Sequence, residues 1–449
     1  MSTLRNPRTR RRAAVLAAAA LLGTATAAAG PVSGATAAPS PPRPPAPNLP
    51  APTRPAPVIP ADCSTAYRIT QKLDGGATWR MCWRYDTDAG LTLDKITYQP
   101  PGAAAPVKVL TSARLAQIHV PYDDGAAEYD DLTGAGFGWG LQNLKPAECP
   151  GGTLTTVKVP EVGQVKGLCT TTRARGHAYR MASDNGSTVW QAQAKDLLVY
   201  TVNKVGWYEY ISEWRFSADG TIGANVGATG SLSPVDYNAT DGRGWPIGKG
   251  ARAYATSHAH NVFWKLDFGL DGSTKDRIEQ FDSTVTPPVG DGGPTVKTKR
   301  TVVTKELAGD AKNMRWWRVV SGTGKNADGH ARSYEIAPGH TDTHAGRGFT
   351  KHDVYFTQAR ACEQFASNNI GNCAPGAGDS VDKWVNGETL TKPSVWVNIG
   401  FHHIARDEDQ QPMPVHWQGF QLAPRDVTAM NPLTPADLAS QNGQPDLGS

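Results

Sequence analysis

The chain has 449 residues, with 45 Lys or Arg against 41 Asp or Glu, a formal charge of +4 at pH 7 and six cysteines. No basic stripe interleaved with aromatics accompanies that small surplus, which excludes nucleic acid as a partner. None of the cysteines forms a Cys-x-x-Cys pair, which excludes a zinc knuckle or a redox dithiol.

The first element is a leader. Arg5 to Arg12 holds five arginines, Ala13 to Ala29 is almost unbroken Ala and Leu, and small-residue sites such as Ala35-Thr-Ala37 follow. A basic n-region, an apolar h-region and a cleavable end predict a secretory signal peptide over residues 1–38, hence a secreted or extracellular protein. The apolar run is short, Ala-rich and followed by Pro and Gly, so no membrane span is expected once it is removed. Thr9-Arg-Arg-Arg12 fits a twin-arginine leader and a general basic one alike. Over residues 39–61 nearly every second residue is proline. Such a stretch favours extended polyproline II and cannot bury a core, so it reads as a linker or a stalk crossing a cell wall.

From residue 62 the pattern is strands and turns. Leu91–Tyr98, Leu197–Val202, Trp207–Phe216 and Thr301–Lys305 are rich in β-branched and aromatic residues and partly alternate, as strands with one buried face do. Ser217-Ala-Asp-Gly220 is a hairpin turn signal, and Leu270-Asp-Gly272 reads as a second. Short helices are expected near Ser112–Gln117 and Gln358–Ala366. In an exported chain the cysteines read as three local disulfides, Cys63/Cys82, Cys149/Cys169 and Cys362/Cys373. The fold class is all-β: a large antiparallel β-sandwich with long loops and few short helices over residues 62–432, followed by a tail over 433–449.

Two histidines stand out on the apolar stretch Ala255–Asp267. On a strand, alternate side chains share a face, so His258 and His260 project together and Ala259 turns away. Neutral imidazole is a common ligand for copper and zinc, and two from one strand supply half of a four-coordinate site. A His-x-His by itself is weak evidence. His402 and His403 follow another apolar strand, Ser394–Gly400; neighbours on a strand point opposite ways, so one of them can join the pair, and the residues leave open which. Three imidazoles without a thiolate suit Cu(II) or Zn(II).

These segments resemble the copper-containing amine oxidases. The resemblance lies in Val205-Gly-Trp-Tyr-Glu-Tyr210, in the His-x-His fifty residues later, and in Phe401-His-His-Ile-Ala-Arg-Asp-Glu-Asp409 with its continuation through Pro414, His416–Pro424 and Asn431-Pro432. It runs from about Trp79 to Pro432 and implies the family's catalytic β-sandwich. It implies His258, His260 and His403 as copper (Cu2+) ligands, and Tyr208 as the tyrosine that copper and O₂ convert to topaquinone. Ala116–Tyr122 resembles the segment whose tyrosine hydrogen-bonds the quinone, which gives Tyr122 that role. Glu128–Asp131 resembles the segment bearing the general base; Asp131 is the better match and Asp130 its rival, because the spacing from Tyr122 is shorter than in the family. Cys149 and Cys169 match a family pair. The implied reaction takes a primary amine and O₂ to an aldehyde, ammonia and hydrogen peroxide, and the family implies a homodimer.

Three departures accompany the resemblance. Trp207 stands where the family has Asn before the quinone tyrosine, so the alternative is a non-catalytic copper-binding or cell-wall accessory relative in which Trp207 abolishes turnover. Between spacer and catalytic region there is only Ala61 to about Ala77, so a form without the family's smaller N-terminal domains is expected. At the peripheral calcium site Asp267 matches a ligand, but Gly269 and Lys392 stand where acidic residues belong, and no calcium is expected there. His340, His344, His352 and His416 are read as structural or solvent-facing, the first two as alternative channel-lining groups.

Overall fold

Period-two alternation of aromatic and aliphatic residues with polar ones sets the strands. In Tyr208–Ser217 the side chains of Tyr208, Tyr210, Trp214 and Phe216 enter the core, while Glu209 and Arg215 stand on the other face. In the computed structural model, residues 63–125, 127–183, 185–234, 244–250, 253–342, 344–435 and 438 are described. The expected signal peptide (1–38) and proline-rich linker (39–61), and most of the tail, lie outside them.

The described strands form two large antiparallel sheets, of nine and ten strands, and a separate two-stranded ribbon. The first sheet has Val107–Pro121, His258–Phe268 and Pro393–His403 as central neighbours. The second runs through Met413–Arg425, Ile222–Gly230, Tyr208–Ser217 and Val189–Val205. Their inner faces share one core. Trp79 of the first sheet lies 5.0 Å from Phe216 of the second, and Trp264 lies 5.3 Å from Phe420. The Trp79 indole also donates to the Ser217 carbonyl at 2.9 Å. The β-sandwich expected from the sequence is the observed architecture.

The first sheet is buried on both faces at its centre. Val262, Trp264 and Leu266 face the sandwich core. Phe263 turns outward into a second cluster with Tyr355, Trp384 and Trp396, where the single helical turn Val381–Trp384 packs. This explains why Ala255–Asp267 reads as a continuous apolar run rather than an alternating one. Asp123 N donates to the carbonyl of Ser257, the residue that separates strand Ala253–Thr256 from His258–Phe268.

A bulge in Val107–Pro121 matters for the site. Its register against His258–Phe268 shifts between Phe263/Gln117 and Trp264/Leu115. Leu115 and Ile118 therefore both reach the inner core, although they are three residues apart. An extra residue resets which side chains face inward, so that Gln117 and His119 point away and Val120 and Tyr122 point in.

Three expectations are corrected. Ser112–Gln117 lies inside strand Val107–Pro121: pairing with strands on both sides overrides the helical preference of Ala, Leu, Arg and Gln. Gln358 ends strand Val354–Gln358 and no helix follows it up to Ala366, where backbone bonds run instead to neighbouring loops. Leu270-Asp-Gly272 is likewise not a hairpin turn. It is a single 3-10 turn that carries the chain from the first sheet into Arg277–Thr286 of the second. All three expected disulfides are formed. No described helix is long and apolar enough to cross a membrane.

Candidate metal centre

The antiparallel register of two central strands brings the candidate ligands together. His258 is the direct cross-strand partner of His403, and His260 is the partner of Phe401. Residues opposite one another share a face, so His258, His260 and His403 all project into the sandwich, with ring centroids of His258 at 5.0 Å from His260 and 4.9 Å from His403. His402, on the opposite face, bonds Asp123 Oδ2 at 2.8 Å in a partly exposed position.

The second sheet contributes the phenol. Tyr208 opens its strand beside a tight turn at Gly206-Trp207, and the Trp207 carbonyl accepts from Ser231 N at 3.0 Å. Gly230, at φ +105°, lies beneath; a Cβ there would come within 2.5 Å of the Trp207 carbonyl, so this crossing requires glycine. The Tyr208 hydroxyl reaches across to His258 Nε2 at 2.6 Å and His403 Nδ1 at 3.2 Å.

Burial dictates the protonation of this cluster. Desolvation, reinforced by the neighbouring imidazole, pushes His258 down to about 3 and holds His260 well below the usual histidine range. The rings are therefore neutral and present lone pairs. Burial also holds the Tyr208 phenol well above its ordinary value. His260 is fully buried and neither of its ring nitrogens has a hydrogen-bond partner, an arrangement that costs free energy unless a further group occupies it. A copper ion fits that requirement: the donors are neutral nitrogens, no thiolate is near, and the unpartnered His260 ring meets the Tyr208 ring edge-on at 5.1 Å. His260, His258 and His403 are the residues that could hold it.

Of the two candidate carboxylates, the fold brings Asp131 to the cluster. Tyr210 donates to Asp131 Oδ2 at 2.7 Å and stacks on Tyr208 with centroids 5.7 Å apart. Burial pushes the Asp131 carboxyl up to about 7, with the Tyr210 hydrogen bond opposing and the Asp130 charge adding to the rise. Asp130 points to the outer face, where it binds His119 Nδ1 at 2.9 Å and the Ser367 hydroxyl at 3.1 Å. Tyr122 stacks on His258, centroids 4.8 Å apart, and accepts from Trp207 Nε1 at 3.1 Å. Trp207 meets Tyr129 edge-on at 5.8 Å.

Three participants were not singled out by sequence reasoning. Tyr210 shares the face of Tyr208 two residues on, a signal that the strand period carried. Asp409 accepts from His403 Nε2 at 2.9 Å, which fixes that ring with Nδ1 toward Tyr208. His416, expected to be structural or solvent-facing, lies with Nε2 3.5 Å from Asp409 Oδ1. Asp267, the one residue matched to a calcium ligand by resemblance, accepts from the Ser394 hydroxyl at 2.5 Å and lies 3.8 Å from the Lys265 ammonium.

The family model described as "Copper amine oxidase, enzyme domain" matches residues 76–442. Among curated proteins the chain is similar to a primary amine oxidase of Arthrobacter sp. (strain P1), 24% identical over 408 residues that cover 82% of this chain and 61% of that protein. It is also similar to primary amine oxidase 1 of Arabidopsis thaliana, 24% identical over 434 residues, covering 82% and 63%. The chain thus spans about six-tenths of the length of these relatives. Among solved structures, a copper-containing benzylamine oxidase from Hansenula polymorpha matches with a TM-score of 0.69 at 22% identity, covering 81% of this chain and 62% of that one.

Proposed function

The chain belongs to the copper amine oxidase family, and we propose that it is an exported primary-amine oxidase that takes an amine and O₂ to an aldehyde, ammonia and hydrogen peroxide. One observation carries the reading: three buried imidazoles on paired strands of one sheet surround a single tyrosine from the other, two of them bonding its hydroxyl and the third meeting its ring edge-on at 5.1 Å. His258, His260 and His403 are the copper ligands of this reading, and Tyr208 is the precursor of topaquinone. When bound, copper supplies the one-electron chemistry with O₂ that converts the phenol, and the quinone supplies a carbonyl and an electron sink.

The chain's own residues bind, orient and move protons. Asp409 holds His403 by its outer nitrogen and leaves Nδ1 free to face the centre. Tyr122, at the edge of the first sheet, stacks on His258, and the Trp207 indole from the second sheet bonds its hydroxyl, so the two together cover the cluster. Asp131, held by Tyr210 and linked through it to the Tyr208 ring, is the group that removes a proton from the carbon bearing the amine. Its raised pKa suits that task, because a base with a pKa near 7 is both ionised and strongly accepting at neutral pH. Asp267 is satisfied by Ser394 and Lys265, in keeping with a chain that uses no peripheral calcium. Export follows from the leader, the disulfides suit an oxidising compartment, and a homodimer follows from the family.

A second reading rests on Trp207. Its indole engages the Tyr122 hydroxyl, the group expected to contact the quinone, so the chain could be a copper-binding relative without turnover. Metal-free protein supplied with copper and air, then with a primary amine, separates the two. Hydrogen peroxide release supports the oxidase; copper uptake without peroxide for any of a panel of aliphatic and aromatic amines supports the second.

A further inference from the structure

We propose that His416, Asp409 and the outer nitrogen of His403 form a transient metal-acceptor site through which copper reaches the buried histidines. The inference rests on the reading of His258, His260 and His403 as copper ligands. Those inner ligands are sealed: His258 is 1% exposed and His260 0%. An ion from solution cannot meet them directly. His416, by contrast, keeps 24% of its side chain in solvent.

The geometry is that of a ligand set. Ligand atoms of His403, Asp409 and His416 all lie within 4.8 Å of one another. His403 Nε2 is 2.9 Å from Asp409 Oδ2, and His416 Nε2 is 3.5 Å from Asp409 Oδ1. Donors bound to one four-coordinate ion sit about 3.3 Å apart, so small adjustments suffice. Asp409 Oδ1 is buried and makes no hydrogen bond, an acceptor left open between the two imidazoles. Two nitrogens and a carboxylate oxygen suit Cu(II) or Zn(II).

The outer and inner sites share one ring and exclude each other. A neutral imidazole has one N–H and one lone pair. With metal on Nδ1, the proton sits on Nε2 and is donated to Asp409. With metal on Nε2, the proton sits on Nδ1, facing the Tyr208 hydroxyl 3.2 Å away. Passing the ion inward therefore exchanges metal and proton between the two nitrogens, and the chain ends with a single copper. Arg406 guards the outer site, with Nε 3.5 Å from Asp409 Oδ1 and a terminal nitrogen 3.3 Å from His416 Nε2. Its side chain is half exposed and must swing aside for an ion to bind.

The test is copper loading of the metal-free full chain, followed by stopped-flow quenching of tryptophan fluorescence and closed by metal analysis. His416→Ala and His416→Gln should load about tenfold more slowly, the scale of losing one supporting group, yet end with one copper per chain. Arg406→Gln should load faster. A His258→Ala/His260→Ala variant, checked for folding by circular dichroism, should hold copper with a two-nitrogen, one-oxygen electron paramagnetic resonance signature, and lose it when His416→Ala is added. Loading at the wild-type rate in both His416 variants overturns the proposal, as does a folded double variant that holds no copper. A wild-type chain that takes up no copper overturns the three-histidine reading itself, and this inference with it.

Discussion

Trp207 and Tyr122 are joined across the sandwich: the indole Nε1–H of one donates to the hydroxyl of the other at 3.1 Å. The residue that departs from the family pattern is thereby attached to the residue expected to contact the quinone. Trp207→Phe keeps the aromatic packing against Tyr129 and removes the donor, and it should cost about 1 kcal/mol. Tyr122→Phe removes the same bond, so the double variant should lose less than the sum of the singles. A urea-denaturation cycle on copper-free protein measures this coupling.

Asp131 sets the pH response. Its carboxyl titrates near 7 in the folded chain because burial penalises the ionised form. Below that pH it is protonated and cannot accept a proton; above it, it can. Anaerobic reduction of the loaded enzyme by a primary amine should therefore rise with pH through about 7 and level off above. Asp131→Asn should keep copper and the quinone but reduce at least a hundredfold more slowly (~10²). Asp130→Asn, on the outer face with His119 and Ser367, should retain the pH step.

Copper should stabilise the fold through His260. That ring has no hydrogen bond to lose in the metal-free chain, so its value to the fold lies in binding. Free copper at a hundred times its Kd adds about 2.7 kcal/mol. Thermal melting with and without copper should show a clear rise for the wild type and a markedly smaller one for His260→Ala, which keeps only the remaining histidines as ligands.

Tyr208→Phe separates metal binding from cofactor formation. It deletes the hydroxyl that bonds His258 and His403 but leaves all three rings. The variant should bind one copper per chain and give no adduct with phenylhydrazine.

Much of this arrangement was legible because the strand period is strict. Alternation alone puts His258 and His260 on one face and separates His402 from His403, and the structure has both features. What alternation cannot supply is register and bulges. The choice between Asp130 and Asp131 depends on how the short strand Glu128–Asp130 pairs with His119–Pro121, and the inward turn of Tyr122 depends on the bulge near Ala116. Ser112–Gln117 misled for a related reason: its local preference is helical, and only long-range pairing makes it a strand. His416 gave no local signal at all, because its relation to Asp409 is set by the path of the loop between two sheets.

The central claim is that Tyr208 becomes the cofactor, and the mass of its peptide tests it most directly. Conversion to topaquinone adds two oxygens and removes two hydrogens, about 30 Da. Protein loaded with copper and exposed to air should yield the Tyr208 peptide at that higher mass, and a phenylhydrazine adduct should map to the same residue. A Tyr208 peptide of unmodified mass, from protein that carries one copper per chain, would contradict the account.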